Sequence, residues 1–225
     1  GGGARQFEEA LTLRGRTRHL ISIKLPVFDI SGETGSLISI GIDVSRRKLV
    51  ESALQNVALS ITSVQGENVL RELASYVCES LRVDFALIGS VRDGVVDTLA
   101  VCDRGVILDT FAYDLAGTPC EDVVGKQFSI HPDKLLHLYP RNELLRRFGF
   151  RSYAGIPLFD SAGVAIGILA VLHRRPMRQP QFVASLLKLY SVRAAAELER
   201  LRADAALRGA EASYRAIFEA AEDPI

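Results

Sequence analysis

The sequence predicts an α+β protein in which antiparallel β-hairpins pack against helices and a long helix follows the last hairpin. The phrases "LPVFDISG" (25–32) and "IPLFDSAG" (156–163) each place Pro and Phe before an Asp–Gly turn, and an apolar run follows each turn. Such a pattern predicts strand–turn–strand hairpins. Residues from about 181 to 210 contain no proline and have helical spacing of apolar residues, which predicts one long helix.

The first part of the chain predicts a small sheet of its own. Extended segments at 5–13, 18–28 and 36–44 predict three antiparallel strands in a meander. Three strands are too few for a stable domain alone. Helical patterns then follow at 45–62 and 66–81, the first of them after a capping region at Asp43 to Ser45.

The second part predicts a larger sheet. Residues 84–91 and 95–103 have the pattern of β-strands and lie on either side of an Asp–Gly turn. The second hairpin spans 153–172. Between them, residues 104–150 have mixed patterning, three prolines and two short helical patches. We expect this long connection to be irregular.

The composition excludes several classes of protein. Lys plus Arg and Asp plus Glu both total 27, so the chain has no net charge that would favour nucleic acid. No apolar run reaches 18 residues, so we expect no membrane contact. Three widely spaced cysteines argue against a disulfide framework and favour a cytoplasmic location. The chain has no initial Met, and we expect it to be a piece of a longer protein.

Particular motifs resemble two families of sensory domains. The strands "ISIKLPVFDISGETGSLISIGIDVSRRK", which end in a variant of the Asp-Ile-Thr motif, resemble the C-terminal half of a PAS domain. The segments "YDLAGTPCEDVVG" and "SYAGIPLFDSAGVAIGILAVLHRRPM" resemble a GAF domain. The last residues, "EASYRAIFEAAEDPI", resemble the start of another PAS domain.

These resemblances imply an order of domains. The C-terminal part of a PAS domain is expected at 1–46 and a linker helix at 47–65. The GAF core is expected at 56–178 and a coiled-coil signalling helix at 179–210. The start of a further PAS domain is expected at 211–225. Such arrays resemble the input halves of bacterial sensor histidine kinases and cyclic-di-GMP signalling proteins. The resemblance therefore implies a sensory or regulatory segment whose output domain lies elsewhere.

The GAF resemblance also implies a ligand pocket. Residues 105–150 are expected to cross one face of the sheet as a lid. The candidate ligand-binding residues are Phe85, Leu87, Phe111, Tyr113, Cys120, Phe128, Tyr139 and Tyr153. The alternative is that these residues are simply core. The residues identify no cofactor, since Cys120 precedes Glu121 rather than the His that follows the linkage Cys of bilin-binding GAF domains, and no cyclic-nucleotide motif is found.

The sequence gives no catalytic or metal-binding motif. None of the four histidines precedes an acidic residue, as a kinase phosphoacceptor would, and no P-loop is present. We therefore expect a non-catalytic segment that binds a small molecule. Two alternatives remain, a small GAF-fold reductase that uses cysteines and a purely structural dimerising spacer.

Heptad-like spacing predicts a partner. In the long helix, apolar residues recur at steps of seven, four and three residues, namely Leu187, Ala194, Leu198, Leu201, Ala205 and Ala212. Such a seam predicts a parallel homodimer through this helix and the helix at 45–62. A ligand would then act by its different affinity for two packings of the helices. The alternative to a homodimer is a single amphipathic helix buried within its own domain, which would show a similar apolar stripe.

Overall fold

A computed structural model describes residues 5–13, 16–28, 31, 34–59 and 67–222. The chain divides into two compact units, Gly1–Ser52 and Ala53–Ile225. Each unit is described by itself below.

The first unit contains the predicted meander. Strands β1 (Arg5–Leu13), β2 (Arg16–Phe28) and β3 (Thr34–Asp43) form an antiparallel sheet in that order. Helix α1 (Ser45–Leu59) follows. The Ser45 backbone N–H donates to Asp43 Oδ1 at 3.0 Å, and the hydrogen bonds from Ser45 lower the pKa of Asp43. This local capping fixes the point at which the strand ends and the helix begins.

The second unit is a seven-stranded antiparallel sheet with helices on it. The strand order is β6-β5-β4-β10-β9-β8, and β7 also pairs with β5. Its elements are α2 (Glu67–Leu81), β4 (Phe85–Arg92), β5 (Val95–Asp103), β6 (Val106–Ile107), β7 (Ala112–Asp114), β8 (Ser129–His131), α3 (Leu135–Leu138), α4 (Glu143–Phe148), β9 (Ser152–Phe159), β10 (Ala165–His173) and α5 (Pro180–Glu222). The expectation of an α+β fold with an antiparallel sheet and a long C-terminal helix is confirmed.

The second hairpin forms as its sequence predicts. Strand β10 pairs with β9 from Ala165↔Phe159 to His173↔Ser152. At the turn, Asp160 Oδ1 accepts the backbone N–H groups of Ala162 (3.0 Å) and Val164 (2.8 Å). Gly163 has a φ of 79°, which favours glycine. The "FDSAG" phrase thus supplies both the side-chain acceptor and the left-handed residue that the turn requires.

The sheet separates two apolar layers. Successive residues of a strand point to opposite faces. Residues Ile168, Ala170 and Leu172 of β10 face the core cluster beneath the 104–150 connection. The opposite face packs on α2 and α5, and at Gly167 a Cβ atom would lie 2.5 Å from Leu198 Cδ2 of α5. Glycine therefore permits the close approach of α5 to the sheet.

Helix α5 is longer than the sequence predicts. It continues through Gly209 to Glu222, which gives a helix of about 64 Å at 1.5 Å per residue. One glycine costs a helix about 1 kcal/mol, and the surrounding "ADAALRGAEA" is rich in strong helix formers. The expected end near 210 is therefore wrong.

The predicted heptad seam is divided between two environments. Leu187, Ala194 and Leu198 are buried within the second unit. Ala205 and Ala212 are exposed. The first three are thus core residues of their own domain, because a helix that packs on a sheet shows the same apolar stripe as a helix in a dimer.

A charged network joins the ends of three strands. Arg174, just after β10, makes a bidentate pair with Asp103 of β5 at 2.8 and 2.9 Å and lies 5.0 Å from the Phe150 ring centre. Its backbone N–H donates to Asp84 Oδ2 at 2.8 Å, and His173 Nδ1 lies 2.9 Å from the same atom. Burial acts to raise the pKa of Asp84, but these partners together lower it.

None of the described helices is both long enough and apolar enough to cross a membrane.

We predict that Ile168→Asp destabilises the second unit by about 3–5 kcal/mol, because it places an unpaired charge at a fully buried position of β10. Urea unfolding measures the loss. Val164→Asp is the control, since Val164 is 58% exposed at the hairpin turn and should change stability by less than about 0.5 kcal/mol. Equal losses in the two variants would contradict the assigned register.

We predict that Asp84→Asn lowers stability at pH 7 and that the difference from wild type shrinks in acid. The pKa of Asp84 is lowered in the folded state, so its ionised form stabilises the fold above about pH 4 and this contribution disappears as the pH falls further. Urea midpoints at pH 7, 5 and 3 measure it. A difference that is constant with pH would show that the charge of Asp84 does not stabilise the fold.

Candidate functional site

An apolar cavity lies on the face of the sheet opposite α2 and α5. The volume of the cavity is about 50 Å³, which is room for a few waters or one small ligand. Six of the lining residues are aromatic, namely Phe85, Phe111, Tyr113, Phe148, Phe150 and Tyr153. The others are Leu87, Thr118, Pro119, Cys120, Asn142, Leu144, Leu145 and Leu172. The space is therefore enclosed mainly by rings and aliphatic side chains.

The sheet and the 104–150 connection each supply part of the cavity. Strands β4, β9 and β10 supply its floor, and the connection supplies its cover through β7, the 3-10 turn Pro119–Asp122 and α4. Helix α4 is held at both ends. Asn142 Oδ1 accepts the Leu145 N–H at 3.0 Å, and Gly149 ends the helix with a φ of 69°. This local chemistry places Leu145 and Phe148 over the floor.

Three phenylalanine rings form one wall. The ring centres of Phe85 and Phe150 are 5.1 Å apart, and those of Phe148 and Phe150 are 5.5 Å apart and stacked. Phe85 and Phe148 complete the triangle at 5.9 Å. Such pairs add about 0.5–1.5 kcal/mol each beyond the area they bury, so this wall is well fixed.

The polar end of the cavity is uncharged. Tyr113 Oη lies 3.2 Å from Cys120 Sγ, and Tyr153 Oη donates to the same sulfur at 3.5 Å. Burial raises the pKa of Cys120, although hydrogen bonds from the tyrosines and Thr118 oppose this. Burial also raises the pKa of both tyrosines. All three groups are therefore neutral near pH 7.

Gly155 positions Tyr153. The two residues lie on the same face of β9, and a Cβ atom at Gly155 would be 2.7 Å from Tyr153 Cζ. Any larger residue would push the tyrosine ring away. The glycine thus allows the hydroxyl to reach Cys120.

A wider outer cleft with charged lining residues adjoins the cavity. The volume of the cleft is about 280 Å³, and Tyr113, Thr118, Asn142 and Leu144 line both the cleft and the cavity. Its charged lining residues are Asp114, Arg141 and Glu143. The cleft therefore has charged residues in its lining, whereas the inner cavity has none.

The structure brings most of the candidate ligand-binding residues together. Those that line the cavity are Phe85, Leu87, Phe111, Tyr113, Cys120 and Tyr153. Phe128 is half-buried outside the lining, before the edge strand β8. Tyr139 also lies outside. Its hydroxyl donates to Asp122 Oδ2 and lies 3.4 Å from His131 Nε2.

Sequence reasoning missed part of the lining. Phe148, Phe150, Leu145 and Asn142 line the cavity but were not among the candidates. The signal was present in "RNELLRRFGF", where an Asn cap, a short apolar helix and a terminal Gly place two Phe residues close together.

The cysteines do not favour the reductase alternative. Cys78, Cys102 and Cys120 are free and buried, and Cys78 Sγ donates to the Cys102 carbonyl at 3.7 Å. Burial raises the pKa of Cys78 strongly, as it raises that of Cys120, and a reactive cysteine needs a thiolate. In the described part of the chain, no group of three or more His, Cys, Asp or Glu residues is placed to hold a metal ion.

Helix α5 is tethered to the strand ends beside the hairpin. Nη2 of Arg202 donates to Ser90 Oγ (2.7 Å), Val91 O (3.0 Å) and Ile166 O (2.6 Å). Glu199 accepts both the hydroxyl and the backbone N–H of Ser161 in the β9–β10 turn. The helix is therefore bonded to the same two strands, β4 and β10, that line the cavity on their other face.

One curated protein and two solved structures show what the chain is similar to. The hybrid signal transduction histidine kinase F of Dictyostelium discoideum is 22% identical over 156 residues, which cover 68% of this chain but 13% of that protein. The chromophore-binding domain of a Stigmatella aurantiaca bacteriophytochrome has a TM-score of 0.55 at 12% identity, covering 86% of this chain and 73% of that one. The GAF domain of a Coxiella burnetii phosphoenolpyruvate-protein phosphotransferase has a TM-score of 0.56 at 16% identity, covering 72% and 98%.

These similarities differ in what they establish. At such low identity the solved structures show the fold alone, and the chain spans only about an eighth of the length of the Dictyostelium kinase. The family model of the GAF domain, however, matches residues 65–198, more than half of the chain. The chain therefore belongs to the GAF domain family.

Proposed function

We propose that this chain is a non-catalytic sensory segment of a bacterial signal-transduction protein. Its GAF cavity binds a small molecule, and helix α5 transmits the response to an output domain outside this chain, either a histidine kinase or a cyclic-di-GMP enzyme. One observation carries the proposal: a single sheet has the cavity on one face and α5 on the other. Membership of the GAF family and similarity to a hybrid histidine kinase support it.

Strand β10 provides the route between the two faces. Leu172 lines the cavity, whereas Gly167 of the same strand lies against Leu198 of α5. Protein interiors are close-packed, so a shift of the strand on one face changes the packing on the other. A ligand can shift α5 only by binding one packing better than the other.

The flanking regions fit a multidomain sensor. The three-stranded sheet β1–β3 supports the interpretation of residues 1–46 as the C-terminal part of a PAS domain. Residues 211–225 are interpreted as the start of another, with α5 running through to Glu222. In this proposal α5 is the connection between the GAF domain and whatever follows.

We further propose a parallel homodimer through α1 and the distal part of α5. Leu207 and Tyr214 are 61% and 71% exposed and lie seven residues apart. That spacing places them on one face of a helix, as in a coiled-coil seam. Because Leu187, Ala194 and Leu198 are used within the domain, the seam would begin beyond them.

We predict that Arg202→Met loosens α5 from the sheet. The substitution keeps much of the aliphatic stem but removes the hydrogen bonds that the two N–H groups of Nη2 share among acceptors at the ends of β4 and β10. Amide exchange should quicken several-fold at residues 198–206 while β4 and β10 stay protected. Arg208→Met, at an exposed position of the same helix, is the control. Equal exchange in the two variants would refute the tether.

The same variant tests the sensory function in the full-length protein. A ligand that raises the melting temperature of this chain should change the output of wild type. In Arg202→Met the ligand should still raise the melting temperature but change the output much less. An unchanged output in wild type with the cavity saturated would favour the structural spacer instead.

We predict that Leu207→Glu combined with Tyr214→Glu weakens self-association at least tenfold, because like charges would face each other across the seam. Sedimentation of the 225-residue chain measures it. Val192→Glu, at a 71% exposed position before the seam, should leave association unchanged. A dimer unaffected by the double substitution would place the interface elsewhere.

A further inference from the structure

We infer that the inner cavity takes an uncharged, single-ring aromatic molecule with one hydrogen-bond donor, of the kind that a simple phenol represents. This inference rests on the proposed sensory function and narrows its ligand to a chemical class. Three properties of the cavity carry it: the absence of charge in its lining, the ring-lined walls and the acceptor at its polar end.

Charge is the first property. Among the described residues that line the cavity, none is Asp, Glu, Lys, Arg or His. An ion taken from water into such a site would lose its hydration without gaining a counter-charge, which is strongly unfavourable. The nearest charged lining residues, Asp114, Arg141 and Glu143, belong to the outer cleft. The inner cavity therefore selects against carboxylates, phosphates and ammonium groups.

Shape and size are the second property. The Phe85, Phe148 and Phe150 rings form one wall, and Phe111 and the two tyrosines complete an aromatic lining. Ring faces and edges pack well against another ring. The open space is a few times what one water needs and far below a drug-sized pocket. A single ring suits it, and a tetrapyrrole or a nucleotide does not.

The polar end is the third property. Tyr153 is one of the lining residues, and because its Oη uses its hydrogen to bond Cys120 Sγ, that oxygen retains lone pairs as an acceptor. A ligand O–H or N–H that reached this oxygen would donate to it and so keep its own hydrogen bond on leaving water. Gly155 keeps the ring in this position because it has no Cβ atom. The cavity thus favours a ligand that donates one hydrogen bond.

Three fluorinated probes of similar size test the inference on the 225-residue chain. 4-Fluorophenol has the donor, 4-fluorotoluene replaces it with a methyl group, and 4-fluorobenzoate is an anion. Fluorine NMR titration at pH 7 should show binding of 4-fluorophenol. We expect the Kd of 4-fluorotoluene to be about tenfold higher, which corresponds to about 1.4 kcal/mol of binding free energy. We expect no binding of 4-fluorobenzoate at the same concentrations.

Two variants and a control assign the effect to Tyr153. Tyr153→Phe keeps the ring and should reduce the affinity for 4-fluorophenol to that for 4-fluorotoluene, whose own affinity should not fall. Gly155→Ala should weaken 4-fluorophenol by displacing the tyrosine ring. Tyr139→Phe is the matched control, since Tyr139 lies outside the lining, and should leave all three affinities unchanged. Circular dichroism melts establish that each variant is folded.

Several results would overturn the inference. They are binding of 4-fluorobenzoate as tight as that of 4-fluorophenol, equal affinity for 4-fluorophenol and 4-fluorotoluene, equal effects of Tyr153→Phe and Tyr139→Phe, and no binding of 4-fluorophenol at millimolar concentration. None of these results contradicts the proposed sensory function. That proposal is contradicted only if a ligand that saturates the cavity leaves the output of the full-length protein unchanged.

Discussion

The burial of the two central hairpin strands on both faces is the constraint on which the second unit depends. Strands β9 and β10 are buried along almost their whole length. Their side chains therefore alternate between the cavity layer and the helical layer, and neither face of the two strands is exposed to water. Glycines at 155 and 167 occur where a neighbouring side chain crowds the strand. Close packing on both faces puts this pair of strands in contact with both the cavity layer and the helical layer.

The charges of the second unit lie around this apolar centre. Arg174, Asp84 and Asp103 join the strand ends beside Phe150, and Arg202 and Glu199 join α5 to the opposite ends of the strands. Ionic groups thus fix the borders of the sheet, where water can still solvate part of them. The lining of the cavity between them has no charged residue, which is the basis for proposing a ligand of low polarity.

Much of the fold was predictable because it rests on local chemistry. The "FDSAG" turn and the strand patterns of β4 and β5 gave correct elements, and six of the candidate residues line the cavity, including the aromatic residues at 111, 113 and 153. Long-range packing was not predictable. Leu187 and Leu198 have the spacing of a dimer seam but pack within the domain, while Phe128 and Tyr139 lie outside the cavity although their residue type suits it. These cases are distinguished only by the tertiary packing of each residue, which its type and spacing do not fix.

The central claim is that the cavity and α5 are coupled through the sheet. Amide hydrogen exchange of the 225-residue chain, with and without saturating 4-fluorophenol, tests it most directly. The account predicts altered protection in two places, in the 104–150 cover of the cavity and in α5 between residues 198 and 206. A change confined to the cover of the cavity, with α5 unaffected at full occupancy, would contradict the coupling.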